Sequence, residues 1–244
     1  MKKRFLLVLA GIMGLAFIAS GCKDKKTTKE TTAKTTVQTT ATPTTTEDIK
    51  IFKTDKETFD SFFAYDETGL KSVNFEAEDL IKREGKEDQE TTLIVADGRV
   101  NTVKWNTIYV IAKDEDKYST TAYMKNESGE YEFGGFWTDS EFKNICFSWF
   151  LPILDYSKMT FDETKRCYVS SEVVTLNSTS ASSTNVSTIS NIEVKFYNNK
   201  PLTVSYKEVL VQTGSDFEYT ETSYRTVTYK SFGSSTVVDP TPVA

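Results

Sequence analysis

Thr92-Leu93-Ile94-Val95-Ala96-Asp97-Gly98-Arg99-Val100-Asn101-Thr102-Val103-Lys104-Trp105 is the stretch that decides the fold. Asp-Gly supplies the two positive-φ positions of a type I′ turn, whose twist matches a pair of antiparallel strands. The run from Thr92 through Ile94 to Ala96 is therefore expected to pair with a return strand carrying Val100, Val103 and Trp105.

The period of two continues on both sides. Upstream, Val73, Phe75 and Ala77 alternate with polar neighbours. Downstream, residues 107–113 and 117–125 flank Asp114-Glu115-Asp116 as a second hairpin. Asn126-Glu127-Ser128-Gly129 then turns the chain into 130–137, where Tyr131, Phe133 and Gly135 alternate. Together these make an antiparallel meander. Later, Met159 to Phe161 and residues 165–176 form a hairpin around Asp162-Glu163-Thr164, and 177–188 reads as a Ser/Thr/Asn loop. Ile192, Val194 and Phe196 alternate up to Asn198-Asn199, and Leu202, Val204 and Tyr206 return. Gly214-Ser215-Asp216 leads into a long strand over 217–230.

Two segments break the pattern. Thr54-Asp55-Lys56-Glu57 has the capping-box spacing, with Thr54 placed to accept from the backbone of Glu57. Phe59, Phe62 and Phe63 follow at helical spacing and predict a helix over 55–65. Thr138-Asp139-Ser140-Glu141 repeats the capping box. Phe142, Ile145, Cys146, Trp149 and Phe150 then fall on one helical face before Pro152. About ten strands in runs, with two helices between them, argue for an α+β domain built on an antiparallel sheet. The face of that sheet is the natural partner for two aromatic stripes.

The amino terminus is of another kind. Met1-Lys2-Lys3-Arg4, an apolar run from Phe5 to Ile18 and Ala19-Ser20-Gly21-Cys22 read in turn as the charged, hydrophobic and small-residue parts of a secretory signal. The apolar run is shorter than the roughly 20 residues a spanning helix needs. Cysteine directly after Ser-Gly resembles the bacterial lipobox, in which the thiol is acylated and the chain is cut before it. The expected organisation is a signal peptide over 1–21, lipidated Cys22 and a Thr/Lys-rich linker over 22–48, one domain over 49–240 and a tail over 241–244. The linker has no hydrophobic periodicity and little to bury, so it is expected to stay disordered. Several acyl chains hold a protein stably at a membrane, because each buried methylene adds about 0.8 kcal/mol.

Charge and composition exclude several classes. The chain carries a formal −6. Without Lys2, Lys3 and Arg4, and without a linker holding five lysines against four acids, the domain stands at about −10. Such a domain repels polyanions and lacks the basic stripe of a nucleic-acid binder. There is no histidine, which removes the commonest general base and metal ligand together. Histidine-dependent triads and histidine-ligated zinc sites are excluded with it.

Of the remaining chemistry, Asp114-Glu115-Asp116 lacks the spaced ligands and glycine of a calcium loop and reads as a solvated turn. No carboxylate pair stands out as a glycosidase dyad. No catalytic, metal or cofactor residue is assigned. Cys146 and Cys167 either bridge, which would be worth roughly 3 kcal/mol for a loop of that length, or remain buried thiols. Tyr109, Tyr118, Tyr123, Tyr197, Tyr219, Tyr224 and Tyr229 suit half-exposed sheet surfaces, with a glycan-facing surface as the alternative. Phe59, Phe62, Phe63, Phe142, Ile145, Trp149 and Phe150 either line a cavity for an apolar ligand or fill the space under the helices.

The order of landmarks is also familiar. Phe161-Asp162-Glu163-Thr164-Lys165-Arg166-Cys167-Tyr168, Val194-Lys195-Phe196-Tyr197-Asn198-Asn199-Lys200-Pro201-Leu202 and Tyr229-Lys230-Ser231-Phe232-Gly233 follow an early helix, a meander and a mid-chain helix. Over residues 48–240 this resembles lipoproteins of Gram-positive gut bacteria with a LolA/LppX-like half-barrel. The resemblance implies a strongly curved antiparallel sheet with two short helices in its concave face. Characterised relatives carry lipids or lipid-modified proteins between helix and sheet, a function that transfers only as a suggestion. The expectation is a monomeric, non-enzymatic, extracytoplasmic lipoprotein that needs no cofactor, binds no nucleic acid and is anchored to the membrane through Cys22. It would bind or carry a lipid or other apolar ligand. The alternative is a surface lipoprotein with a filled core that contacts wall polymer or protein.

Overall fold

Asp97 and Gly98 sit at φ 54° and 73°, the two left-handed positions that only a residue pair of this kind accepts readily. Around them Ala96 pairs with Arg99 and Leu93 with Thr102. In the computed structural model, which describes residues 50–64, 69–114, 117–139, 142, 152–179 and 183–241, this hairpin is one step of a large antiparallel sheet.

The strands are β1 (Phe75–Arg83), β2 (Gln89–Ala96), β3 (Arg99–Thr102), β4 (Thr107–Asp114), β5 (Lys117–Lys125), β6 (Tyr131–Asp139), β7 (Met159–Asp162), β8 (Cys167–Ser170), β9 (Val174–Thr179), β10 (Ser183–Tyr197), β11 (Lys200–Gly214) and β12 (Glu218–Phe232). Their order across the sheet is β6-β5-β4-β3-β2-β1-β12-β11-β10-β8-β7, with β9 also paired to β10. The sheet is open, with β6 at one end and β7 at the other. The long-range join is β1 against β12, where Ile81 faces Arg225 and Phe75 faces Phe232.

One helix, α1 (Lys56–Phe63), packs on this sheet. Its cap differs from the capping-box expectation. Asp55, not Thr54, accepts from the Thr58 N–H at 2.8 Å, and the Thr54 hydroxyl is buried with no hydrogen-bond partner. Thr54 is held by its backbone instead. Tyr168 Oη accepts from the Thr54 N–H at 2.8 Å and donates to its carbonyl at 2.7 Å. α1 is the one α-helix described over its whole length, against the two expected. Residues 143–151 of the second expected helix lie outside the described residues.

Other differences have local causes. The return strand after Gly98 stops at Thr102. Val103–Trp105 is a 3₁₀ turn closed by Asn106 at φ 50°, which leaves Val103 exposed. Residues 165–176 do not form one strand, because β8 ends at Ser170 and β9 begins at Val174. Most of the expected 177–188 loop is strand, with Thr184–Ile189 paired to β9 and Ser183–Ser190 paired to β11. Threonine-rich polar sequence is read as loop by composition, but β-branched Thr suits a pleated surface equally well. Leu202 is exposed and not in the core, because a bulge between Lys195 and Phe196 makes it the extra residue opposite them.

A second bulge sets the core itself. Ile189 and Ile192 are three residues apart, which in a regular strand would put them on opposite faces. Between Ser190 and Glu193 the register slips by one residue, with Asn191 at φ 54°. Ile189, Ile192, Val194 and Phe196 are therefore all buried in one core. Asparagine tolerates that left-handed conformation better than most residues.

Candidate functional site

The helix aromatics meet the sheet as a continuous cluster. Phe59 is fully buried. Its ring centroid lies 5.1 Å from Phe63, 5.4 Å from Tyr156, 5.6 Å from Phe196 and 5.7 Å from Tyr168. Phe62 reaches Phe232 at 5.0 Å and Phe63 reaches Tyr229 at 6.4 Å. Phe75 closes the group edge-on to Tyr229 at 5.0 Å. These are tilted and edge-to-face contacts, which aromatic quadrupoles favour. The space beneath α1 is filled by rings.

Beside the helix lies an open cleft of about 200 Å³. Its apolar wall is Phe62, Phe63, Val73, Phe75, Tyr229 and Phe232, with Asn74 and Ser61 among the polar groups at its rim. Asn74 is committed to the chain's end, since its side chain donates to the Ser235 carbonyl and accepts from the Ser235 N–H, both at 2.8 Å.

Of the residues singled out as ligand-lining, Phe62 and Phe63 therefore wall an apolar cleft, and Phe59 lies behind them in the core. Phe142 enters the same core from the β5 side, its ring 5.3 Å from Tyr118. Ile145, Trp149 and Phe150 lie outside the described residues, as do Cys22 and Cys146. Cys167 is a buried free thiol. Burial, and secondarily Glu193, push its pKa up, the wrong direction for a nucleophile. Tyr109 and Tyr229 are buried, not half-exposed as expected.

Sequence reading passed over the strongest polar feature. Asp79 on β1 and Arg225 on β12 form a buried ion pair, with side-chain exposures of 0% and 2%. Nε donates to Oδ1 and Nη2 to Oδ2, each at 2.8 Å, and Nη1 donates to Tyr206 Oη at 3.2 Å. Burial pushes the Asp79 carboxyl above its ordinary value against the pull of the guanidinium. The Tyr206 hydroxyl is likewise raised by burial. Every carboxylate oxygen of Asp79 faces arginine, so the group is occupied in holding strands together. The only sequence signal for it is a charged residue at an inward position, in phase with Phe75, Ala77 and Ile81.

Among the described residues no three carboxylate or cysteine side chains converge as a metal site, and no helix is long and apolar enough to cross a membrane. No family model, curated protein or solved structure matches this chain.

Proposed function

We propose that this chain is an extracytoplasmic lipoprotein, tethered to a bacterial membrane by a lipid on Cys22, whose domain acts by binding and has a filled core. The finer architecture belongs to the same proposal: a LolA-type half-barrel whose concave face takes α1 and the segment around Trp149. The observation that carries the filled-core reading is Phe59, enclosed by Phe63, Tyr156, Tyr168 and Phe196 with no exposed surface. The cleft beside it, at about 200 Å³, is smaller than the about 300–1,000 Å³ of small-molecule sites. Binding is then the work of the domain's outer surface, toward wall polymer or protein.

A second reading, in which the domain carries a lipid, rests on the apolar wall of that cleft, where Phe62 and Phe232 could admit the end of an acyl chain. The tether is tested by labelling cells with radioactive palmitate and shaving intact cells with protease. Label in the wild type but not in Cys22→Ala, with the domain released by protease, is the expected result. Label that survives the substitution overturns the anchor.

A further inference from the structure

The outer face of β5 and β6, at the β6 end of the described sheet, carries a surface that nothing above uses. Phe133 is 66% exposed and Phe136 51%. They are three residues apart and would point to opposite faces of a regular strand. The pairing slips by one residue at Gly134, with Tyr123 opposite Phe133 and Ala122 opposite Gly135. A side chain at Gly134 would come within 2.7 Å of Met124 Cγ. The bulge therefore turns both phenylalanines to the side away from Ala122 and Trp137, which belong to the core. Paired residues of an antiparallel ladder share a face, so Tyr123 stands beside Phe133 and Thr121 beside Phe136. Exposed Thr138 lies next along β6. Tyr131, half-buried against the small cluster of Ala96, Ile108 and Val237, bounds the row in the other direction, with Lys125 Nζ 5.9 Å from the centre of its ring.

We infer that this face binds a neutral polysaccharide, with Phe133 and Phe136 stacking on sugar rings and Tyr123, Thr121 and Thr138 hydrogen-bonding to hydroxyls. Three features of the surface select that occupant. Its side chains are rigid aromatic planes interleaved with hydroxyls, matching the C–H faces and hydroxyl rims of pyranose rings. Its exposed aromatic area amounts to about 400 Å² at most, against roughly 800 Å² per partner in a stable protein interface. The domain's net charge of about −10 repels polyanions and anionic lipid surfaces, and the two strands present no carboxylate among these residues. The bulge also disfavours addition of another strand to the β6 edge. The inference rests on the proposed reading of the domain as a surface-binding lipoprotein and gives its ligand a chemical class.

The test titrates chitohexaose, a neutral N-acetylglucosamine oligomer, into the full chain in detergent micelles by calorimetry, with sedimentation run in parallel. Phe133→Ala and Phe136→Ala should each weaken binding by about tenfold, and the double variant should abolish it. Phe133→Tyr with Phe136→Tyr, which keeps both rings, should retain it. Both sites are exposed, so unchanged thermal melting confirms that the variants fold. No binding by the wild type, or binding indifferent to the double variant, overturns the inference. So does a wild-type dimer that the double variant dissolves, which would assign the face to a second copy. If chitohexaose fails while palmitate labelling and protease release hold, the tethered-lipoprotein reading stands and only the glycan surface falls.

Discussion

Arg225 grips Asp79 with two parallel hydrogen bonds of 2.8 Å on the core face where β1 meets β12. Desolvation of two charges is costly, and their attraction offsets it only while both are present. Asp79→Ala or Arg225→Ala should each cost about 3–5 kcal/mol by urea denaturation, because each leaves a buried charge without its partner. Asp79→Leu combined with Arg225→Met should recover most of that loss. Single losses that simply add in the double variant would mean that the two side chains do not act as a pair.

The amino-terminal edge of α1 gives a sharper test of local assignment. Asp55→Ala should cost about 1 kcal/mol through loss of the cap, while Thr54→Val should be neutral or stabilising, since the buried Thr54 hydroxyl has no partner. Tyr168→Phe should cost about 1–3 kcal/mol by leaving the Thr54 N–H without its acceptor, while Tyr156 Oη still donates to the Thr54 carbonyl at 3.4 Å. Denaturant midpoints of the three variants check the order. A Thr54→Val variant less stable than Asp55→Ala would restore Thr54 as the cap.

Much of this was legible in the sequence, and some of the failures share a cause. Asp97-Gly98 and Asn198-Asn199 announced their turns because positive φ demands particular residues. Phe59 and Phe63 announced a buried helical face through their spacing. Strands interrupted by an extra residue were misread, since alternation assumes an unbroken period of two. Leu202 is the extra residue at one such bulge, the expected alternation of Phe133 with Gly135 crosses another at Gly134, and a third at Asn191 lies just beyond the expected 177–188 loop. The Asp79–Arg225 pair joins residues 146 apart in the chain, and no local pattern encodes a partner at that distance.

Asn191 makes the point measurable. Its φ of 54° suits Asn and Gly and penalises β-branched residues. Asn191→Gly should leave stability nearly unchanged, whereas Asn191→Val should cost about 1–2 kcal/mol, read as a shift of the thermal midpoint. Equal midpoints would mean that the bulge does not depend on residue 191.

Buried tyrosines set the alkaline limit. Burial pushes Tyr109 and Tyr168 up to about 12 from the ordinary 10.0, and it raises Tyr206 and Tyr229 as well. The unfolded chain gives up these protons first, so the stability tied to them is complete below pH 10 and is lost as pH climbs through 12. Circular dichroism and phenolate absorbance followed together should show unfolding and ionisation of the buried tyrosines as one transition above pH 10. Ionisation of all tyrosines near pH 10 with the fold intact would contradict the burial described.

The filled core is tested most directly by native mass spectrometry of the full chain purified from membranes in mild detergent, followed by solvent extraction of its lipid. Apart from a covalent adduct at Cys22, the protein is predicted to fly without bound lipid, and extraction should release none in stoichiometric amount. One non-covalent lipid per chain, lost together with thermal stability when Phe62 and Phe232 are replaced by alanine, would contradict the filled core and make the domain a carrier.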